Sequence, residues 1–265
     1  MIEPTVLAGW ILWPGLGLCL GSFANVLIHR LPKDESIIWP DSHCPRCRAP
    51  IAFYDNIPLL SFLVLRGRCR NCRKPISARY PLVEAVVAVG GTALWLRWPG
   101  DWVWTLLSLL AVAALTAITC IDWDELIIPD ELSFGLLALG LLASPFNPLF
   151  SGGPLWRAAQ SLGGAAAGFG ICWGVAMLGE KIFKKDAMGG GDVKLLAAIG
   201  AWTGALGAYD CILIASLIGA AYGGSLLLRK KIRRQDPIPF GPFLSAAAVF
   251  NLFYLLPFGF PFHNL

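Results

Sequence analysis

WVWTLLSLLAVAALTAITCI, residues 102–121, holds twenty residues without a charge, and DWDELIIPDE, residues 122–131, follows it with five acids in ten. About 20 apolar residues is the length of helix that crosses the hydrocarbon of a bilayer. The first stretch is therefore read as a membrane span, and the second as its polar exit. The rest of the chain agrees with that reading. Of 265 residues, 56% are apolar and 14% charged, with a mean hydropathy of +0.64. Soluble domains average about 25% charged residues. The balance excludes a disordered chain, a small secreted disulfide protein and an ordinary cytosolic enzyme.

Working outward from residues 102–121, further uncharged runs predict more spans. Residues 4–28 carry no Asp, Glu, Lys or Arg and give a first span over Leu7–Ile28. It lacks a positive n-region and an obvious cleavage site, so it reads as a span and not as a signal peptide. Pro81–Trp98 is a weaker span because Glu84 lies near its start. Leu132–Trp156 contains Pro145, Pro148 and Pro154, which end its helix near Pro145. Ala158–Gly179, Leu195–Tyr209, Cys211–Leu228 and Gly241–Phe258 complete the set, with Asp210 dividing the sixth span from the seventh. The expected fold is an all-α polytopic membrane protein of about eight transmembrane helices. Its expected parts are a first helix (1–28), a small insert (29–80) and a seven-helix membrane domain (81–265).

Charge sets the orientation. Residues 28–80 hold ten Lys/Arg and four Asp/Glu, while the remainder is slightly acidic. With eight spans, the insert and the loops near 122–131, 180–194 and 229–240 share one side, which then carries eighteen of the twenty-one basic residues, with Lys194 at the same boundary. Lys and Arg beside span ends favour the cytoplasm, so the insert is placed there.

The insert repeats one pattern. CPRCRAPI (Cys44–Ile51) and CRNCRKPI (Cys69–Ile76) lie twenty-five residues apart, with twenty-one residues between Cys47 and Cys69. Two CxxC turns at this spacing can close a tetrahedral site of four thiolates around Zn²⁺. The competing reading, two disulfides, is disfavoured in a reducing cytoplasm. A closed four-Cys site leaves no open coordination position, so Cys44, Cys47, Cys69 and Cys72 are expected to hold a structural zinc. The arginines between them mark the inside face and reach anionic lipid more readily than they mark a nucleic-acid site. The other cysteines, Cys19, Cys120, Cys172 and Cys211, are expected to pack as small hydrophobes.

Acids at membrane depth are functional hypotheses. Two clusters stand out: Asp122, Asp124, Glu125, Asp130 and Glu131 after the third span, and Gly189-Gly190-Gly191-Asp192-Val193-Lys194 before the sixth. The predicted topology puts both at the cytoplasmic interface, where Asp122 and Asp192 can face one cavity. Two carboxyls sharing a proton supply a base and an acid for peptide hydrolysis. The three glycines offer positive φ and close backbone approach, and Lys194 offers charge balance or a snorkelling contact. The plain alternative makes Asp192 and Asp130 helix N-caps.

The motifs in their order resemble the bacterial prepilin peptidases. The resemblance rests on Gly21-Ser22-Phe23-Ala24-Asn25-Val26 with Arg30-Leu31-Pro32, and on Asp55-Asn56-Ile57-Pro58, Leu65-Arg66-Gly67-Arg68-Cys69 and Ser77-Ala78-Arg79-Tyr80-Pro81-Leu82-Val83-Glu84. Asp122 with Ile128-Pro129-Asp130, and Gly189 to Lys194, complete it. It implies a membrane aspartic endopeptidase of the bacterial inner membrane that cuts type IV prepilin and pseudopilin precursors after a short basic leader. Asp122 and Asp192 match the catalytic pair, with Asp124 as fallback for the first, and Gly189, Gly191 and Lys194 as support. Relatives with a four-Cys insert also methylate the new amino terminus with S-adenosylmethionine, so methylation is implied as well. No glycine-rich strand–helix fingerprint for that cofactor is present, and no residues are assigned to it. The implied partners are the precursors and membrane lipid, without nucleic acid. The loop Ser144–Leu155 is expected to be remote from catalysis. Two other functions compete: a proton-coupled transporter, which lacks the expected inverted repeat, and a zinc-stapled scaffold without catalysis.

Overall fold

The computed structural model describes residues 4–184, 188–233 and 236–254. Its helices are α1 (Pro4–Arg30), a single turn α2 (Leu60–Val64), α3 (Arg79–Arg97), α4 (Trp102–Glu125), α5 (Asp130–Ala143), α6 (Pro154–Phe183), α7 (Gly190–Leu228) and α8 (Gly241–Phe253). Among the described residues, α1, α4, α6 and α7 are long and apolar enough to cross a membrane. In hydrocarbon a backbone must satisfy its own N–H and C=O groups, which is why uncharged runs of this length settle as helices. Pro154 opens α6 and Pro242 sits in the first turn of α8, where a helix tolerates proline, whereas Pro14 lies inside α1. As expected from Pro145, α5 stops at Ala143 and passes into a 3-10 turn, Ser144–Phe146.

The chain divides into two compact units, Met1–Ala117 and Ile118–Leu265. In the first, α1 packs on α3. Gly17 and Gly21 make that crossing close: a Cβ on them would lie 2.5 Å from Ala88 Cα and 2.6 Å from Glu84 Cα. Trp13, Val87, Trp95, Leu109 and Ala113 form the buried core there. Asn25 donates to the carbonyls of Gly21 and Tyr80, and the buried Glu84 accepts the Leu59 N–H at 2.8 Å. Residues of two quoted motifs, Gly21–Val26 and Ser77–Glu84, thus meet here, with Leu59 beside them.

The insert is two copies of one knuckle. Cys44 N–H donates to Ala49 and Arg48 N–H to Cys44; Cys69 N–H donates to Lys74 and Arg73 N–H to Cys69. Bridges pair His43 with Pro50 and Arg68 with Pro75 at the same offset, and Arg48 and Arg73 both take positive φ. The twenty-five-residue repeat is therefore a repeat of backbone geometry.

In the second unit, α7 packs on α6, α5 and α8. Gly164 and Gly168 of α6 let the backbone of α7 approach: a Cβ on Gly164 would lie 2.1 Å from the Gly200 carbonyl, and one on Gly168 2.3 Å from that of Leu196. Small residues at such spacing are what close helix crossings in lipid require. Ser161 donates to the Ala201 carbonyl, Trp202 Nε1 to Leu136, and Asn147 Nδ2 to Trp202. The break between the predicted sixth and seventh spans differs from expectation. Helix continues through the buried Asp210, and the departure is at Gly204 (φ 75°, ψ −178°), a conformation that only glycine adopts without strain. The charge at Asp210 marked a boundary that the backbone places six residues earlier. The last predicted span, Gly241–Phe258, is helical to Phe253, and its end lies outside the described residues.

Candidate functional site

Asp122 lies in the last turn of α4 and Asp192 in the first turn of α7. Both line one cavity of about 270 Å³, with Leu126, Ile127, Ile128, Asp130 and Gly189–Gly191 as the rest of its wall. Asp122 is only 5% exposed, and its carboxylate is close enough to act on Asp192 electrostatically. Asp124, the fallback, is exposed and outside this wall.

The glycines work differently from expectation. Gly189 has φ −67°, and Gly190 and Gly191 are already helical, so none supplies a positive φ. What Gly189 and Gly191 supply is room. A Cβ on Gly189 would lie 3.3 Å from Asp192 Oδ2, and one on Gly191 3.0 Å from Ile128 Cβ. The cap reading also fails in detail. The N-cap of α7 is Gly189 and that of α5 is Pro129, with Asp192 and Asp130 inside the first turns. There a carboxylate still complements the positive end of the helix dipole. Lys194 reaches across from α7 to both oxygens of Asp130 at 2.7 and 2.8 Å.

Two neighbours had no signal in the sequence. The Gly241 N–H, from the first turn of α8, donates to Asp122 Oδ2 at 2.8 Å. Cys172 of α6 is fully buried, lies 3.1 Å from Met188 Sδ, and faces Asp192. Cys211 is also buried, whereas Cys120 is half-buried and Cys19 exposed. The loop after α5 stays out of the cavity wall, as expected.

In the insert, the sulfurs of Cys44, Cys47, Cys69 and Cys72 all lie within 4.8 Å of one another, and Cys44 and Cys72 are 3.9 Å apart. A tetrahedron of thiolates at a metal–sulfur distance of about 2.3 Å has edges of roughly 3.8 Å. Four convergent soft donors at that spacing fit a closed metal site. Backbone amides surround them. The Ala49 amide draws Cys47 down to about 6, amides of Cys72 and Asn71 lower Cys69, and Asn71 Nδ2 donates to Cys47. At Cys72 the Lys74 amide acts in the same sense, but burial and the neighbouring thiols outweigh it and push the thiol up to about 11. Beside the second knuckle, Arg70 grips Asp55 with two hydrogen bonds of 2.6 Å and holds that carboxyl below its usual range.

Comparison with known proteins fits both features. Residues 16–98 match the Bacterial Peptidase A24 N-terminal domain, and residues 109–224 match the Type IV leader peptidase family. A prepilin leader peptidase/N-methyltransferase of Aeromonas hydrophila is 41% identical over 254 residues, covering 87% of this chain and 85% of that protein. Proteins of the same name from Burkholderia pseudomallei and Pseudomonas aeruginosa are each 37% identical, over 92% and 88% of this chain and 84% and 86% of their own length. No solved structure gives a significant match. A paired-aspartate cavity, a four-thiol insert and relatives this similar along nearly the whole chain lead to one conclusion: the chain belongs to the Type IV leader peptidase family.

Proposed function

We propose that this protein is a membrane aspartic endopeptidase that removes the basic leader of type IV prepilins and pseudopilins, and that it N-methylates the amino terminus so exposed. The observation that carries the peptidase reading is the single cavity lined by Asp122 and Asp192. One carboxylate takes a proton from water as its oxygen adds to the scissile carbonyl. The other carboxyl gives its proton to the nitrogen as the C–N bond breaks. The pair shares this work, because two such groups titrate together. Gly189 and Gly191 leave space for the extended substrate strand, and Lys194 balances Asp130 at the rim.

The membrane body, residues 81–265, serves the peptidase, and the insert, residues 29–80, serves methylation. Eight spans follow if the α7 segments on either side of Gly204 count separately and α3, α5 and α8 cross with their flanking residues. The basic excess of the insert assigns it to the cytoplasm, and Lys181 and Lys184 beside the start of α7 assign Asp192 to that face of the inner membrane. Zn²⁺ is the metal that four thiolates suit best, and it would staple Cys44, Cys47, Cys69 and Cys72. S-adenosylmethionine is the methyl donor. A precursor's apolar helix lies in lipid while its leader stays in the cytoplasm, near the acidic run 122–131.

The test uses purified protein, a precursor pilin and labelled S-adenosylmethionine, scored for shortening and label uptake. Asp122→Asn and Asp192→Asn keep the shape of the site but remove the base and acid. Both are expected to abolish shortening, and retained cleavage in both returns the chain to a scaffold.

A further inference from the structure

We propose that Gly241 is the positioning residue for the aspartyl pair: its main-chain N–H anchors Oδ2 of the ionised Asp122 and turns the other carboxylate oxygen toward the cavity. This rests on the reading of Asp122 as a catalytic group. The contact is tertiary, joining residues 119 apart, and it is buried. An N–H donor can only face an oxygen that accepts, and a bond of this kind is stronger to a carboxylate than to its acid. The donor also belongs to the first turn of the thirteen-residue α8, whose positive end favours a negative neighbour.

The side chain at 241 is as telling as the amide. A Cβ there would stand 2.8 Å from Asp122 Oδ2 and 3.1 Å from Ile128 Cδ1. Any other residue would therefore force the carboxylate to shift from its present position. Pro242 and the ring contact of Phe243 with Tyr222, at 5.7 Å, seat the helix start from behind. Asp122 is thus held between the end of its own helix and the beginning of another.

The ionisable groups around Asp122 are few. Among the described residues, α7 brings Asp192, Lys194 and Tyr222, whose ring packs on Trp123, and α5 brings Asp130 and Glu131, with Asp130 tied to Lys194. α6 brings Cys172, which faces Asp192. α4 itself adds Cys120, Asp124 and Glu125, and α8 contributes no ionisable side chain. Among the described residues, the α8 amide is the donor the Asp122 carboxylate meets.

The experiment measures leader cleavage against pH in purified full-length protein. Gly241→Ala is expected to lower kcat by about tenfold to a hundredfold, the scale of a misplaced reacting group, with KM within about threefold. The acid limb of kcat/KM is expected to move to higher pH, because the ionised carboxylate has lost its donor. Gly241→Ala in an Ile128→Val background, compared with Ile128→Val alone, removes the aliphatic clash and isolates the contact with Oδ2. A second measurement needs no change at 241. With ¹⁵N-glycine label, the Gly241 amide resonance is expected to titrate along the acid limb of activity and to shift in Asp122→Asn. An acid limb unmoved in Gly241→Ala, or an amide blind to both pH and Asp122→Asn, overturns the proposal. If Asp122→Asn still cleaves, the fault lies with the aspartyl reading itself.

Discussion

Lys194 on α7 and Asp130 on α5, sixty-four residues apart, form a two-point ion pair at the rim of the aspartyl cavity. Their side chains are 38% and 55% exposed, so water screens them. Exposed pairs typically couple by about 0.2–1 kcal/mol. A double-mutant cycle of Lys194→Met and Asp130→Asn, followed by denaturant unfolding, is expected to return a coupling in that range. A larger value would make the pair a structural clasp and not a balance of charge.

Asp124 gives a sharper contrast. It is exposed, while Asp122, two residues before it, is buried in the cavity wall. Asp124→Asn is expected to keep cleavage within about fivefold of the unmodified protein, where Asp122→Asn removes one member of the pair and is expected to lose acid–base chemistry worth roughly 10²–10⁴-fold or more. The rate of precursor shortening separates the two.

The remaining acids bear on substrate capture. Glu125 and Glu131 are exposed beside the cavity. Glu125→Lys or Glu131→Lys is expected to raise KM for a lysine-rich leader, and to raise it more at low salt, since screening weakens exposed charges. A KM that ignores ionic strength argues against capture by these acids.

Packing predicts a pair of opposite outcomes one residue apart. A Cβ on Gly164 would meet the Gly200 carbonyl at 2.1 Å, while one on Gly163 meets nothing within 4 Å. Gly164→Ala is expected to destabilise the second unit by about 1–3 kcal/mol, the usual cost of overpacking. Gly163→Ala is expected to leave it unchanged or slightly firmer. Thermal unfolding in detergent reads both.

Acid should loosen the insert by two routes of the same sign. Asp55 is held below its usual range by Arg70, so that pair contributes above the unfolded value near about 4 and its contribution fades as pH falls through the folded one. Thiolates also bind metal only when deprotonated, so acid releases it. Protection of residues 53–56 from hydrogen exchange is expected to drop below about pH 4, and Arg70→Ala should remove that step. A chelator, or Cys44→Ser, is expected to impair methyl transfer more than cleavage.

Much of the site was legible because its signals are local. Two CxxC turns signal by spacing alone that four sulfurs can converge, and they do. Asp122 and Asp192 declare themselves by the cost of an acid beside an uncharged span. Partners were harder. Nothing about Gly241 in FGPF points to a carboxylate 119 residues earlier, and the pairing of Lys194 with Asp130 depends on how α5 and α7 are placed. Charge also misplaced one boundary, because Asp210 sits inside a helix and the break needs a residue free to take φ 75°, which is Gly204.

That joint at Gly204 has a consequence for how Asp192 is carried. The stretch from Gly190 to Thr203 is fourteen residues, about 21 Å of helix, shorter than the roughly 30 Å hydrocarbon layer. The carboxyl therefore rides on a short strut fastened to α6 at Gly164 and Gly168, not on a rod running from one water phase to the other. Residues 205–228 meet that strut at an elbow, so a change in their tilt with bilayer thickness need not be passed to the carboxyl.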